Sequence, residues 1–255
     1  MNKFSLLTCL TALVLLIGSC KKDNPNPNNT NTNTSPLGAN APTLPSGAAG
    51  ALYAVLTNAN AGGGYTSEST VYGWFGSYTS TANAGVVLCD ADTLTTAIPF
   101  TNASYPWYEL SVAAVINGGN VPDFTTSNTV QWSVSGSGSV PAFNYNDTTQ
   151  WPQVINFNTA SSVSISTPLT VTYNITGGVY KQVICSIQGS KATVSQSVTG
   201  NSVTFSAAQL AQAATNNDNL AIEIMPINYI TQTISSKSYY FVKQNAFVNY
   251  ATTTP

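Results

Sequence analysis

The side chains in this sequence that could perform acid–base chemistry are carboxylates. A glycoside hydrolase needs only two, held about 5–9.5 Å apart across the scissile bond. Closely spaced carboxylates could alternatively hold a hard cation such as calcium, and Asp90-x-Asp92 comes nearest to that arrangement. Because it does not match a calcium loop, we expect solvated strand-end carboxylates there, and no metal or other cofactor. No spacing selects a catalytic pair from the six candidates, which are Glu68, Asp90, Asp92, Glu109, Asp123 and Asp147.

The lack of histidine and arginine excludes most other mechanisms. All seven basic residues are lysines, so Ser-His-Asp and Cys-His catalysis, histidine zinc sites and arginine clamps are ruled out. A Ser-Lys nucleophile would need a desolvated lysine. The lysines of the C-terminal half lie in polar or alternating contexts, and we expect four exposed side chains: Lys181, Lys191, Lys237 and Lys243. The sequence therefore predicts a protein that is not an enzyme.

Aromatic residues make a better case for ligand binding. The four tryptophans all lie before residue 152, two of them in the clusters Tyr72-Gly73-Trp74-Phe75 and Tyr105-Pro106-Trp107-Tyr108. Exposed rings beside Asn and Asp suit flat apolar ligands, including sugar faces. Pro106 makes its segment unsuitable as a central strand, so Tyr105 and Trp107 are the rings expected to be exposed, with Trp74 as a third candidate. The alternative is that these rings fill the core of a small β domain.

The N-terminal residues predict export and anchoring. The apolar run from Phe4 to Ile17 is shorter than the about 20 residues that span a bilayer, as in a signal peptide. It ends in Leu16-Ile17-Gly18-Ser19-Cys20, which resembles the lipobox of bacterial lipoproteins. The resemblance implies that residues 1–19 are a signal peptide and that Cys20 is lipidated. It further implies an outer-membrane lipoprotein of the cell envelope, facing the periplasm or the cell surface.

The next stretch predicts a spacer between the anchor and the folded part. Residues 20–47 consist mainly of Asn, Pro, Thr and Ser, which cannot bury enough apolar surface to offset the entropy of ordering. We expect a disordered, partly extended linker. Only 6% of the chain is charged and the net charge is −2, with no basic cluster. This composition argues against binding to nucleic acid.

Alternating apolar and polar residues predict β-strands throughout the remaining chain. One interruption, Ser206-Ala207-Ala208-Gln209, fits a capping box, and it predicts a two-turn helix through Ala214. The strands predicted from the pattern are 51–57, 70–75, 85–90, 108–116, 129–134, 153–156, 169–175, 183–187, 192–198, 202–205, 220–224 and 238–250.

The expected fold class is all-β, with two β-sandwich domains at residues 48–160 and 161–255. From its order of elements, the second domain resembles an immunoglobulin or fibronectin type III sandwich with one short helix. The whole chain also resembles two-part β lipoproteins of Gram-negative envelopes, a likeness that implies no activity. Cys89 and Cys185 fall in different predicted domains, which favours two buried thiols over a disulfide.

Three functions remain open at this point. The first is a membrane-anchored, non-enzymatic binding module for a glycan or a protein. The second is a structural or assembly component of an envelope complex, in which sheet edges pair with a neighbouring protein. The third is a carboxylate-dependent glycoside hydrolase.

Overall fold

The computed structural model describes residues 46–60, 64–77, 80–97, 107–110 and 122–255. In these ranges the chain forms many strands and one helix, so the prediction of an all-β sandwich fold with one short helix is confirmed. The elements are β1 (Ala48–Asn60), β2 (Tyr65–Ser77), β3 (Ser80–Thr81), β4 (Val87–Cys89), β5 (Asp92–Thr93), β6 (Thr95–Ala97), β7 (Trp107–Leu110), β8 (Val130–Val134), β9 (Phe143–Asp147), β10 (Pro152–Ile155), β11 (Ser162–Ser164), β12 (Leu169–Thr172), β13 (Asn174–Gly177), β14 (Gln182–Gln188), β15 (Thr193–Val198), β16 (Ser202–Phe205), α1 (Ala207–Ala213), β17 (Asn219–Ile234) and β18 (Lys237–Thr254).

A ten-stranded main sheet organises the molecule. Its strand order is β15-β14-β17-β18-β1-β2-β7-β6, with β11 beside β18 and β3 beside β2. The long strands β17 and β18 form a hairpin whose turn residues, Ser235 and Ser236, have φ angles of 49° and 63°. Sequence analysis placed these strands but underestimated their length.

The main sheet continues across the predicted domain boundary between residues 160 and 161. Strand β1 pairs in parallel with β18, from Ala48 opposite Ser238 to Ala59 opposite Val248. Strand β11, just after the boundary, pairs with the far end of the same β18. The first and last long strands of the described fold are therefore direct neighbours at the centre of one sheet.

The two faces of the main sheet differ, and β18 shows how. Its odd-numbered residues point to the inner face, which we define as the side packed against the smaller sheets. There Phe241 belongs to a first core, with the four-stranded sheet β5-β4-β8-β9. Further along, Phe247 belongs to a second core, with α1 and the pairs β10–β13 and β12–β16. The outer face carries the even-numbered residues, such as Val242.

The local predictions for the second half were accurate in one place and incomplete in another. Ser206 caps α1 as expected: its hydroxyl accepts from the Gln209 amide, and the Gln209 side chain accepts from the Ser206 amide. The predicted strand 169–175 is two strands in different sheets, separated by Tyr173, whose hydroxyl donates to the Gly200 carbonyl.

Both cysteines of the described fold, Cys89 and Cys185, are buried free thiols, as sequence analysis favoured. Within the described ranges, none of the helical structure is long and apolar enough to cross a membrane.

Candidate functional site

The predicted site residues lie in three different situations. Cys20 and Tyr105 lie outside the described residues. The backbone of Trp107 pairs with Ala97 at the start of β7, and its side chain lies outside what the structure describes. Trp74 is buried on the outer face of β2, with 4% of its surface exposed, so solvent does not reach its ring.

The other described tryptophans also serve the interior. Trp132 and Trp151 are each 3% exposed and belong to the first core. Of the described aromatic residues, the most exposed are Tyr65 in β2 and Tyr180 between β13 and β14, at 46% and 41%. Tyr65 lies at the start of β2, whereas Tyr180 lies in the connection before β14.

The candidate carboxylates on strands are divided between two sheets: the main sheet carries Glu68 and Glu109, and the four-stranded sheet carries Asp92 and Asp147. Glu109 pairs with Tyr72, four residues along β2 from Glu68, which is about 13 Å of extended chain. Asp90 lies in the tight turn between β4 and β5, Asp92 begins β5, and burial raises the pKa of Asp90. Across the described ranges, no cluster of three or more His, Cys, Asp or Glu side chains could hold a metal ion.

The most elaborate polar arrangement centres on Lys243, at the junction between the two cores. Sequence analysis expected this lysine to be exposed, and that was wrong: its side chain is 1% exposed, on the inner face of β18. Nζ donates to the main-chain carbonyls of Asn128, Asp147 and Thr149 at 2.5, 3.1 and 2.7 Å. The Asp147 carboxylate, itself 3% exposed, lies 3.3 Å from Nζ. An ammonium group is thus surrounded by oxygen acceptors.

The electrostatics of this cage are those of a buried ion pair. Burial lowers the pKa of Lys243, and the neighbouring Asp147 and Asp90 carboxylates oppose that shift without cancelling it. Asp147 is held in turn, because its Oδ1 accepts from the amide and the hydroxyl of Thr149, at 2.9 and 2.6 Å. Among the described residues, the hydrogen-bond and ion-pair partners of Nζ include no serine hydroxyl, so these residues do not form a Ser-Lys nucleophile.

The cage fastens the crossover from β9 to β10 onto the main sheet. The Trp151 ring centroid lies 5.3 Å from Lys243 Nζ, and its indole N–H donates to the Ser127 carbonyl. Two residues along β18, the Asn245 side chain donates to the Pro152 carbonyl at 2.8 Å. The lysine therefore positions the segment that leads from the first core to the second.

A polar ladder continues along the inner face beyond the cage. Asn58 donates to the Asn245 side chain at 2.7 Å, and Ser67 donates to Asn58 at 2.7 Å. Asn60 donates to Asn249 at 3.1 Å. Sequence analysis missed this ladder, although one signal was available: Lys243, Asn245 and Asn249 stand on the same face of a strand as buried aromatic residues.

The outer face holds a hydrogen bond between a carboxylate and a hydroxyl group, separate from the Lys243 cage. Half-buried Glu223 on β17 accepts from the Ser186 hydroxyl on β14 at 2.7 Å. Burial raises the pKa of Glu223, and the Ser186 hydrogen bond opposes this only in part.

This shift predicts a pH dependence of stability. Between the ordinary glutamate pKa and the raised one, the folded state binds more protons than the unfolded state, so stability falls as pH rises through that window. Glu223→Gln removes the ionisation and retains a hydrogen-bond acceptor for Ser186. We expect the variant to unfold at higher urea concentration than the parent at pH 7, with a smaller difference at pH 4.

Asp123→Asn is a control that should change stability at pH 7 in the opposite direction, by lowering it. Hydrogen bonds from Thr125 lower the pKa of Asp123, so its contribution is present at neutral pH and is lost as pH falls through the lowered pKa. A Glu223→Gln variant less stable than the parent at pH 7 would contradict the burial argument.

No protein-family model, curated protein or solved structure matches this chain.

Proposed function

We propose that this protein is an outer-membrane lipoprotein of the cell envelope, anchored through acylated Cys20, whose folded part is a non-enzymatic binding module. The observation that carries the proposal is the order of the N-terminal residues: an apolar run, then Leu16-Ile17-Gly18-Ser19-Cys20, then a polar spacer. Several acyl chains on one cysteine would hold the protein firmly without a spanning segment.

The engagement of the reactive side chains supports a non-enzymatic role. Lys243 and Asp147 are committed to the cage between the cores. The Asp218 carboxylate accepts from the main-chain amides of Ser190 and Asn219, which joins two loops of the C-terminal half. Side chains with the chemistry of catalysis are thus used to hold the fold. A glycoside hydrolase is the least supported alternative, because it requires two carboxyl groups facing one cleft.

A protein ligand is favoured over a glycan. Sugar binding by this module would draw on exposed aromatic rings, and Trp74, Trp132 and Trp151 are buried. Affinity capture from detergent-solubilised envelopes tests this choice. A stoichiometric partner protein supports a protein ligand or an assembly role, whereas retention on a glycan array without any protein partner would overturn it.

The anchor makes a separate prediction. Cys20→Ser in the full chain is expected to abolish incorporation of radiolabelled palmitate and to shift the protein from the outer-membrane fraction to the soluble fraction. Acylation needs the Cys20 sulfur, and the folded part offers no second anchor in this proposal. Cys9→Ser, which changes a residue of the predicted signal peptide, is the matched control and should leave labelling unchanged. Labelled Cys20→Ser protein in the membrane fraction would refute the anchor.

A further inference from the structure

The second half of β17 has a neighbouring strand on one side only. The pairing of β14 with β17 stops at Ile227, whose carbonyl accepts from the Lys181 amide at 2.8 Å. The pairing of β17 with β18 continues beyond this point, as far as Ile234 opposite Lys237. Within the described ranges, no strand pairs with the other side of residues 228–234, here called the free edge. The main sheet is therefore open next to the start of β14.

Strand geometry shows which main-chain groups the free edge presents. Alternate residues of a strand direct their N–H and C=O groups to the same side. Because the Ile227 carbonyl points toward β14, the corresponding groups of Tyr229, Thr231 and Thr233 point to the free edge. The residues between them face β18, which agrees with the two-residue turn that follows Ile234. An added strand would meet a regular series of donors and acceptors.

The free edge lacks the features that usually prevent an exposed strand from pairing. Those features are charged side chains, prolines and bulges. Residues 228–234 read Asn-Tyr-Ile-Thr-Gln-Thr-Ile, without charge or proline, and their register with β18 is unbroken. Thr231 and Thr233 are exposed, so an extended segment can reach them.

We propose that the free edge binds an extended segment of a partner protein, which joins the main sheet as an additional strand. In this mode of recognition, main-chain hydrogen bonds supply affinity and alternate side chains supply specificity. The inference rests on the proposed function in its protein-ligand form, and it names the surface that would perform it.

The side chains around the free edge indicate what the partner segment should contain. Ile234 packs against the first core from the inner face, and both it and Ile230 remain partly exposed. Apolar residues on that side of an added strand would complete their burial. On the outer face, the exposed Lys181 has its ammonium 4.2 Å from the Tyr229 ring centroid, and no carboxylate pairs with it among the described residues. A carboxylate opposite Tyr229 would supply that partner.

A second copy of the chain fits the free edge less well. Antiparallel pairing of two copies about Thr231 would set residue 227 of one copy opposite residue 235 of the other. Lys181, which adjoins Ile227, would then approach the turn and Lys237 of the other copy. The same approach of like charges would occur at both ends, and such approaches disfavour a partner. An acidic segment of another protein avoids this repulsion.

Amide hydrogen exchange in the isotope-labelled full chain tests whether the edge is open. The amides of Tyr229, Thr231 and Thr233 should exchange at least about tenfold faster than those of Ile230 and Gln232, which face β18. Equal protection of both sets would overturn the proposal, because the edge would already be occupied. Protection that falls on dilution would identify the occupant as a second copy, and protection that does not would identify it as this chain.

The binding probe is the synthetic peptide Ser-Glu-Val-Thr-Val-Glu-Ser, whose symmetry sets a glutamate opposite Tyr229 in either strand direction. Its addition should slow exchange at Thr231 and Thr233. Thr231→Pro removes an N–H from the free edge and should weaken binding at least about tenfold, whereas Thr231→Val keeps that donor and should bind like the parent. Lys181→Glu should reverse the preference, toward the peptide Ser-Lys-Val-Thr-Val-Lys-Ser.

Failure of the glutamate peptide to bind the parent, or equal binding by Thr231→Pro, overturns the proposal. If Thr231→Pro does not accumulate, the reversed peptide preference of Lys181→Glu decides the matter. Affinity capture from envelopes separates this inference from the proposed function. A stoichiometric partner retained by Thr231→Pro would leave the protein-ligand function standing and overturn the free edge as its site. Peptide binding at the edge without any envelope partner would support the edge and contradict the proposed protein ligand.

Discussion

Replacing Lys243 by methionine is expected to lower the free energy of unfolding by about 3–5 kcal/mol, the range for removing one partner of a buried ion pair. Methionine has nearly the same length, so little packing volume is lost. What is lost is the donor to three carbonyls and the counter-charge of Asp147, which stays buried without its cation. Urea unfolding followed by tryptophan fluorescence would measure the change, because Trp151 lies against the cage.

Lys181→Met is the matched control. Lys181 is exposed and lies 4.2 Å from the Tyr229 ring centroid, an interaction expected to contribute no more than about 1 kcal/mol. Asp147→Asn should destabilise less than Lys243→Met, because the three carbonyl acceptors keep their donor. If the free energy of unfolding of Lys243→Met lies within about 1 kcal/mol of the parent value, the cage is not a major source of stability.

Leu210→Ala changes the C-terminal half, but we expect it to shift the unfolding transition that tryptophan residues of the N-terminal half report. Leu210 of α1 is fully buried in the second core, and truncating such a leucine costs about 2–5 kcal/mol. Every tryptophan lies before residue 152, and the buried ones that we describe report on the first core and the outer face. Because β18 contributes to both cores, we expect the tryptophan fluorescence transition to move to lower urea together with the circular dichroism transition.

The control for this experiment is Gln212→Ala, on the exposed side of the same helix, which should leave both transitions within about 0.5 kcal/mol of the parent. Circular dichroism that moves while fluorescence does not would mean that residues 48–160 and 161–255 unfold independently. The sequence predicted two such domains, so the measurement decides between that division and a single cooperative unit.

Local features of this fold could be predicted from sequence because local physics determines them. Ser206 and Gln209 form their capping box within four residues, and the alternation of Val183, Cys185 and Ile187 correctly identified a buried strand face. The parallel pairing of β1 with β18 has no such signature. Asn58 and Asn245 are 187 residues apart, and only the folded sheet brings their side chains together.

Lys243 illustrates why the candidate site was harder to predict. Lys243, Gln244 and Asn245 are consecutive polar residues, a pattern that normally indicates a solvent-exposed segment. Burial of such a group depends on acceptors from distant segments, here the carbonyls of Asn128 and Thr149, and sequence pattern does not reveal those partners.

The central position of β18 also has a consequence for the timing of folding. Strand β1 is made early, but one of its two neighbours in the sheet is β18, the last strand of the described fold. The main sheet cannot close until synthesis has reached Thr254, and contacts between residues so distant in sequence form slowly. The main sheet therefore remains incomplete while the chain is being synthesised. That property is compatible with the export proposed above, in which the chain crosses a membrane before it folds.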